Sequence, residues 1–252
     1  MTSMVAQVPS RGWQGAVLKL LRADDFLLTV AGVESITDHY VRVHFADGGL
    51  LARTALHPTM WIRLWFERDG RLHQRGYTVV DPDPATGTFF VEFAIHDGAA
   101  ARWAQTTFVG DEIPATVMGS NYALPEPSPD GWLIVGDAAA LPAVNSLLDA
   151  IEASESPDVP ITIWMEYQHE DEFTLPLRVR EHHRVEWLSR TGTGSTMVDA
   201  VRAAAFNATG YHAWVAAEAG STRKVAGLFR QEFGLPRAAV TSRAYWAVGR
   251  PR

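Results

Sequence analysis

No cysteine occurs anywhere in the chain. That absence excludes a disulfide framework, a thiolate nucleophile, a cysteine-ligated zinc and an ordinary iron–sulfur cluster. If this protein moves electrons, an organic cofactor must carry them. No apolar run approaches the length of a bilayer span, and the polar start MTSMVAQVPSRGWQ lacks the apolar core of a secretion signal, so a cytoplasmic protein is expected. An excess of positive charge is lacking too: 22 Lys and Arg against 29 Asp and Glu leave a formal charge of −7, which disfavours a nucleic-acid partner. Neither a GxSxG elbow nor an HExxH helix is found, which disfavours those hydrolases, and there is no full GxGxxG.

What is present falls into two grammars. YVRVHF (40–45), MWIRLWF (60–66) and TFFVEFAI (88–95) alternate with period two, separated by the turn signals ADGG, ERDG and DPDPATG. Short strands with such turns predict an antiparallel β-barrel. A proline-rich break, LPEPSPDG (124–131), follows. Beyond it, strand-like runs at 132–136, 161–166, 183–188, 211–217 and 244–249 alternate with helical patterns, the first carrying Leu141, Val144, Leu147, Leu148 and Ile151 on one face. That alternation predicts a parallel sheet covered on both faces. The expected division is a barrel domain over 1–125 and an α/β domain over 126–252. Nine tryptophans punctuate these runs, most of them as packing residues.

Four stretches carry chemistry. In RGYT (75–78), alternation places Arg75 and Tyr77 on one face of a strand, with Thr78 beside them. An arginine, a flat phenol and a hydroxyl suit the pyrophosphate, ring and reactive nitrogen of a flavin nucleotide. All three are comfortable in an ordinary strand, and alone the triplet favours that reading. In IHDGAAARWA (95–104), a strand ends at His96, and Gly98 with three alanines leads into a helix containing Arg102 and Trp103. Small residues at a helix start let N–H groups approach an anion, although a plain turn and helix reads equally well. WLIVGDAAALPAVN (132–145) is a buried strand ending at Gly136 before a helix, the place where α/β domains bind nucleotides; Asp137 is expected to cap that helix, or to grip a ribose or nicotinamide amide. HEDE (169–172) reads as a solvated acidic loop and not a metal site, His182 and His183 as a poor pair on opposite faces of a strand, and TGTGST (191–196) as a loop before a helix.

Taken in order, RGYT (75–78), IHDGAAARWA (95–104), Gly119-Ser120, WLIVGDAAALPA (132–143), WVAAE (214–218) and YWAVGR (245–250) resemble the siderophore-interacting protein family, the flavin-dependent ferric-siderophore reductases. The opening SRGWQGAVLKLL and Asn145 are similar, more narrowly, to siderophore-interaction domains of mycobacterial-type siderophore importers. The resemblance implies an N-terminal antiparallel FAD-binding β-barrel followed by a ferredoxin-reductase-like α/β domain that binds NADPH or NADH. Arg75 and Tyr77 would then hold the flavin pyrophosphate and ring, and Thr78 would sit near the reactive nitrogen. His96, Asp97, Gly98, Ala99, Ala100 and Ala101, with Trp103 behind, would line the isoalloxazine and pyrophosphate; Gly119 and Ser120 also match. Gly136 and Asp137 would face the nicotinamide, with Glu218 on the same side of the sheet and Trp246 closing the site. Arg63 and Arg250 are the candidate grips for an anionic ferric siderophore, a solvated barrel residue being the equal alternative for Arg63.

Two departures accompany the likeness. HDGAAA stands where relatives carry a longer loop with HG and GPA, and GDAA (136–139) replaces GDET, removing an acid and a hydroxyl beside the nicotinamide. The implied reaction passes electrons from NAD(P)H through FAD to siderophore-bound Fe(III), with no side-chain catalyst and no protein-bound metal, in a monomer acting in iron acquisition and associated with an importer at the inner membrane face. A general NAD(P)H–flavin oxidoreductase and a non-catalytic flavin- or siderophore-binding module are the alternatives.

Overall fold

The computed structural model describes residues 24–190 and 195–249. Two compact units make up the chain, one of Met1–Glu34, Val41–Leu56 and Met60–Asn121, the other of Ser35–Tyr40, His57–Thr59 and Tyr122–Arg252. The short segments Ser35–Tyr40 and His57–Thr59 cluster with the second unit, so no single boundary in the sequence separates the two.

The first unit is built on a seven-stranded antiparallel sheet in the order β4-β3-β7-β1-β2-β6-β5, curled into a half-barrel. Its strands are β1 (Asp24–Thr37), β2 (Tyr40–Ala46), β3 (Trp61–Arg68), β4 (Arg71–Thr78), β5 (Val80–Asp83), β6 (Thr88–Ala94) and β7 (Glu112–Val117). Among the described residues, β4 and β5 are the end strands of this sheet. Period-two alternation turns Ile62, Leu64 and Phe66 of β3 and Phe89, Val91 and Phe93 of β6 into one core, each 2% exposed or less. On the opposite face of β3, Trp65 is also buried and donates its indole N–H to Thr116 Oγ1 at 2.8 Å, which donates in turn to Asp25 Oδ1 at 2.6 Å. Helices α1 (Leu50–Arg53) and α2 (Ala99–Thr106) complete the unit.

The second unit is a five-stranded parallel sheet, β10-β9-β8-β11-β12. The strands are β8 (Gly131–Asp137), β9 (Ile161–Tyr167), β10 (Arg184–Ser189), β11 (Tyr211–Glu218) and β12 (Val240–Trp246). Helices α3 (Leu141–Glu152), α4 (Ser195–Ala203) and α5 (Ala219–Gln231) follow β8, β10 and β11. Every residue of the central strand β8 is buried, as a strand covered on both faces requires. Pro142 falls in the first turn of α3, where its missing N–H breaks no helical bond. Gly136 lets that helix sit close: a Cβ there would lie 3.1 Å from Val144 Cγ2 and 3.2 Å from Met165 Sδ. Among the described residues, no helix is long and apolar enough to cross a membrane.

Candidate functional site

In the half-barrel, β4 is hydrogen-bonded to β3 with Tyr77 opposite Ile62, Arg75 opposite Leu64 and Thr78 opposite Trp61. Residues opposed across an antiparallel pair share a face. Arg75 and Tyr77 therefore lie together on the core side, as alternation predicted, and Thr78 lies on the other face, buried. The Tyr77 ring sits 4.5 Å from Phe93 and 5.9 Å from Phe66, and Trp103 on α2 meets the same two rings at 6.0 Å and 5.6 Å. Burial pushes the Tyr77 phenol far above its ordinary pKa, only partly offset by the charge of Arg75. It is a neutral hydrogen-bonding group at any physiological pH. Arg75 donates one guanidinium N–H to its neighbour's carbonyl, Gln74 O, at 2.7 Å.

The 95–104 stretch forms its helix where the sequence predicted, α2 starting after Gly98. No side chain caps it, so its first N–H groups and the positive end of its dipole are set out for an anion. Gly98 is fixed by crowding: a Cβ would come within 2.4 Å of His96 Cε1 and 2.7 Å of its Nδ1. Ala100 and Ala101 pack into the core, while Ala99 is half-buried. Asp97 is 98% exposed and paired with Arg102 at 2.8 Å. Ser120 Oγ accepts the Trp61 N–H at 2.9 Å, just after Gly119 in the left-handed conformation at φ 71°. Arg63 is half-buried; it donates to Met118 O and lies 4.4 Å over the Trp61 ring. Arg250 falls outside the described residues, as do the opening SRGWQGAVLKLL and most of TGTGST.

In the α/β unit, charged groups crowd the carboxyl ends of the strands. Asp137, the last residue of β8, accepts the Trp246 indole N–H at 2.7 Å through Oδ2 and the Ala140 N–H at 3.1 Å through Oδ1. It is not the helix N-cap, which is Ala140; the strand simply runs on through Asp137. Its register neighbour on β9 is Glu166, whose Oε2 accepts from the Arg190 guanidinium. Arg190 lies 4.2 Å over the Trp246 ring and 3.9 Å from Asp137 Oδ2. Glu218 ends β11 and caps α5, accepting from the Gly220 and Ser221 N–H groups.

Burial raises the pKa of both Asp137 and Glu166, against the opposing pull of Arg190. Burial likewise raises Glu172, which accepts the Gln168 N–H at 2.9 Å. Glu218 goes the other way: burial is outweighed by the N–H groups of Ser221, Gly220 and Val248 and by Arg190, and its carboxyl is held below the ordinary range.

Sequence reasoning missed Glu166, Glu172 and Arg190. Glu166 had a usable signal, since it ends ITIWME as Asp137 ends WLIVGD, and adjacent parallel strands align their ends. HEDE is not a solvated loop. Glu172 is 5% exposed, Asp171 accepts from the His39 N–H and imidazole, and His169 stacks on His39 with ring centroids 3.6 Å apart. Among the described residues, no three His, Asp or Glu side chains are placed to hold one metal ion. His182 and His183 precede β10 in a turn, their rings edge to face at 4.5 Å.

A family model described as a siderophore-interacting FAD-binding domain matches residues 26–119, and one described as siderophore-interacting protein matches 129–249. The chain is 35% identical over 253 residues to the mycobactin import ATP-binding/permease protein IrtA of Mycolicibacterium thermoresistibile, covering 96% of this chain and 27% of that one. It thus spans about a quarter of the length of that relative. Among solved structures, the siderophore-interacting protein from Acinetobacter baumannii superposes with a TM-score of 0.77 at 20% identity, covering 90% of this chain and 92% of that one. The ferredoxin reductase in carbazole 1,9a-dioxygenase gives a TM-score of 0.70 at 16% identity, covering 89% and 70%.

Proposed function

This chain belongs to the siderophore-interacting protein family, and from that premise we propose that it is a ferric-siderophore reductase in which bound FAD passes electrons from NADPH or NADH to siderophore-held Fe(III). The observation that carries the reading is the pairing of Arg75 and Tyr77 on the core face of β4 with the uncapped start of α2, since Tyr77 and Trp103 share contacts with Phe66 and Phe93. The fit to FAD rests on chemistry that is in place. Arg75 offers a planar, always-charged fork to a phosphate, and the N–H groups at Gly98–Ala101 offer neutral donors to the same anion. Gly98 leaves room for the His96 imidazole to pack against the start of this helix. Tyr77 supplies a neutral aromatic surface, and Thr78 a hydroxyl at the end of the strand. FAD, when bound, supplies acceptance of a hydride and release of electrons singly.

Ferric siderophore is the substrate. Its own oxygen donors hold the iron, and these hard ligands bind Fe(II) less tightly than Fe(III), so reduction frees the metal without a protein ligand set. On the α/β unit, Gly136, Asp137, Glu218 and Trp246 border the place of the nicotinamide. Asp137 fixes the Trp246 indole there, and the alanines that follow it remove the acid and hydroxyl of GDET. Arg63 orients the Trp61 ring in this reading more than it grips substrate. The name of the importer relative supports a siderophore importer as the partner, with this segment as a domain or a separate subunit.

The reading is tested with FAD-loaded protein and an Fe(II)-trapping dye. NAD(P)H-dependent Fe(II) formation from a ferric siderophore, with quinones turned over at least about tenfold more slowly, supports it. Equal or faster quinone reduction replaces it with a general flavin oxidoreductase.

A further inference from the structure

The carboxyl ends of the parallel strands hold more negative charge than their surroundings neutralise. Asp137, Glu166 and Glu172 are each 5% exposed or less, and among the described residues one guanidinium, Arg190, pairs with the first two. Asp171 adds charge from beside Glu172, and Glu218 adds it from the end of β11. Leaving an uncompensated carboxylate buried costs more than protonating it. The hydrogen bonds indicate where the proton resides. Both oxygens of Asp137 accept N–H groups, and Glu172 accepts from Gln168. Glu166 accepts from Arg190 through Oε2, while its Oε1 is buried with no hydrogen-bond partner among the described residues. That oxygen is the poorest place in the cluster for a negative charge.

We propose that Glu166 and Asp137 hold one exchangeable proton between them across Arg190, and that Glu166 and Arg190 thereby act as positioning residues for Trp246. Ionised Glu166 pins the guanidinium, which lies flat over the indole. Protonated Glu166 loses that charge-assisted grip, and Arg190 turns to Asp137, already 3.9 Å away and bound to the indole N–H. The proton therefore selects which carboxylate restrains Arg190, and with it how Trp246 is clamped from its face and its edge. The significance for nicotinamide binding rests on the reading given under the proposed function. The proton and the clamp do not.

Uniformly 15N-labelled chain, without nucleotide, provides the test. The Trp246 indole N–H signal, identified by its loss in Trp246→Phe, is followed from about pH 5 to about pH 9, above the ordinary carboxylate range. The expected result is a single titration step that vanishes in Glu166→Gln and returns in Glu166→Asp. Arg190→Gln, which removes the compensating charge, moves the step to higher pH. No step in the wild type, or the same step in Glu166→Gln, overturns the proposal; should that variant fail to fold, an unmoved step in Arg190→Gln does the same. In the FAD-loaded protein, the KM for NAD(P)H follows the same step while kcat changes less. If NAD(P)H fails to reduce the flavin at all, the proposed function falls and the indole titration still decides this inference.

Discussion

Gly98 and the imidazole of His96 claim the same space. An alanine at 98 would put its Cβ 2.4 Å from the ring, so either His96 turns away or the first turn of α2 shifts. Gly98→Ala is expected to weaken FAD binding by roughly tenfold to a hundredfold, about 1–3 kcal/mol, in fluorescence titrations of apoprotein, while the first unit keeps its circular dichroism. Arg75 and Tyr77 carry more. The double change Arg75→Ala and Tyr77→Ala is expected to yield colourless protein with the fold intact, and stoichiometric flavin in that variant would refute the assignment. That Arg75 and Tyr77 share a face was legible because alternation alone fixes which strand side chains lie together. Glu166 and Arg190 were not legible in that way: the first meets its partners through β8–β9 register, the second through the loop end of β10, and neither relation is local.

At the scale of elements, helix α3 shows what holds the second unit together. Leu141, Val144, Leu147, Leu148 and Ile151 recur at helical spacing, and each is 3% exposed or less. Leu147→Ala is expected to cost about 2–5 kcal/mol in denaturant unfolding, because the cavity left behind collapses only partly. Strands β2, β3 and β6 were readable from period two, and this helix from period 3.6. The long strand β1 was overlooked although Phe26, Leu28 and Val30 alternate, since charged and small residues dilute the rest of it. HEDE misled for a physical reason. Four polar residues in a row suggest water, yet His39, 132 positions away from Asp171, arrives to stack on His169 and bond Asp171.

Over the whole molecule, the carboxyls of the second unit set opposing pH dependences. Asp137, Glu166 and Glu172 have raised pKa values when folded, so the native state holds protons that the unfolded chain releases. Their contribution is full below the ordinary values of 3.8 and 4.5 and is lost as pH rises through the raised ones. Glu218 and Asp171 behave oppositely, their contribution fading as pH falls. Glu166→Gln cannot ionise, so its denaturation midpoint should gain on the wild type as pH rises above 4.5 and through the raised value. A constant difference across that range would contradict the burial argument.

The reductase account comes down to one anaerobic experiment followed by visible absorption. FAD-loaded protein is mixed with one equivalent of NADPH or NADH, and ferric siderophore is added afterwards with an Fe(II)-trapping dye present. The account predicts that the flavin bands bleach with the nicotinamide and return with the ferric siderophore, as trapped Fe(II) accumulates at two per flavin. Bands that bleach with a chemical reductant but not with either nicotinamide, or that stay bleached when ferric siderophore is added, would contradict it.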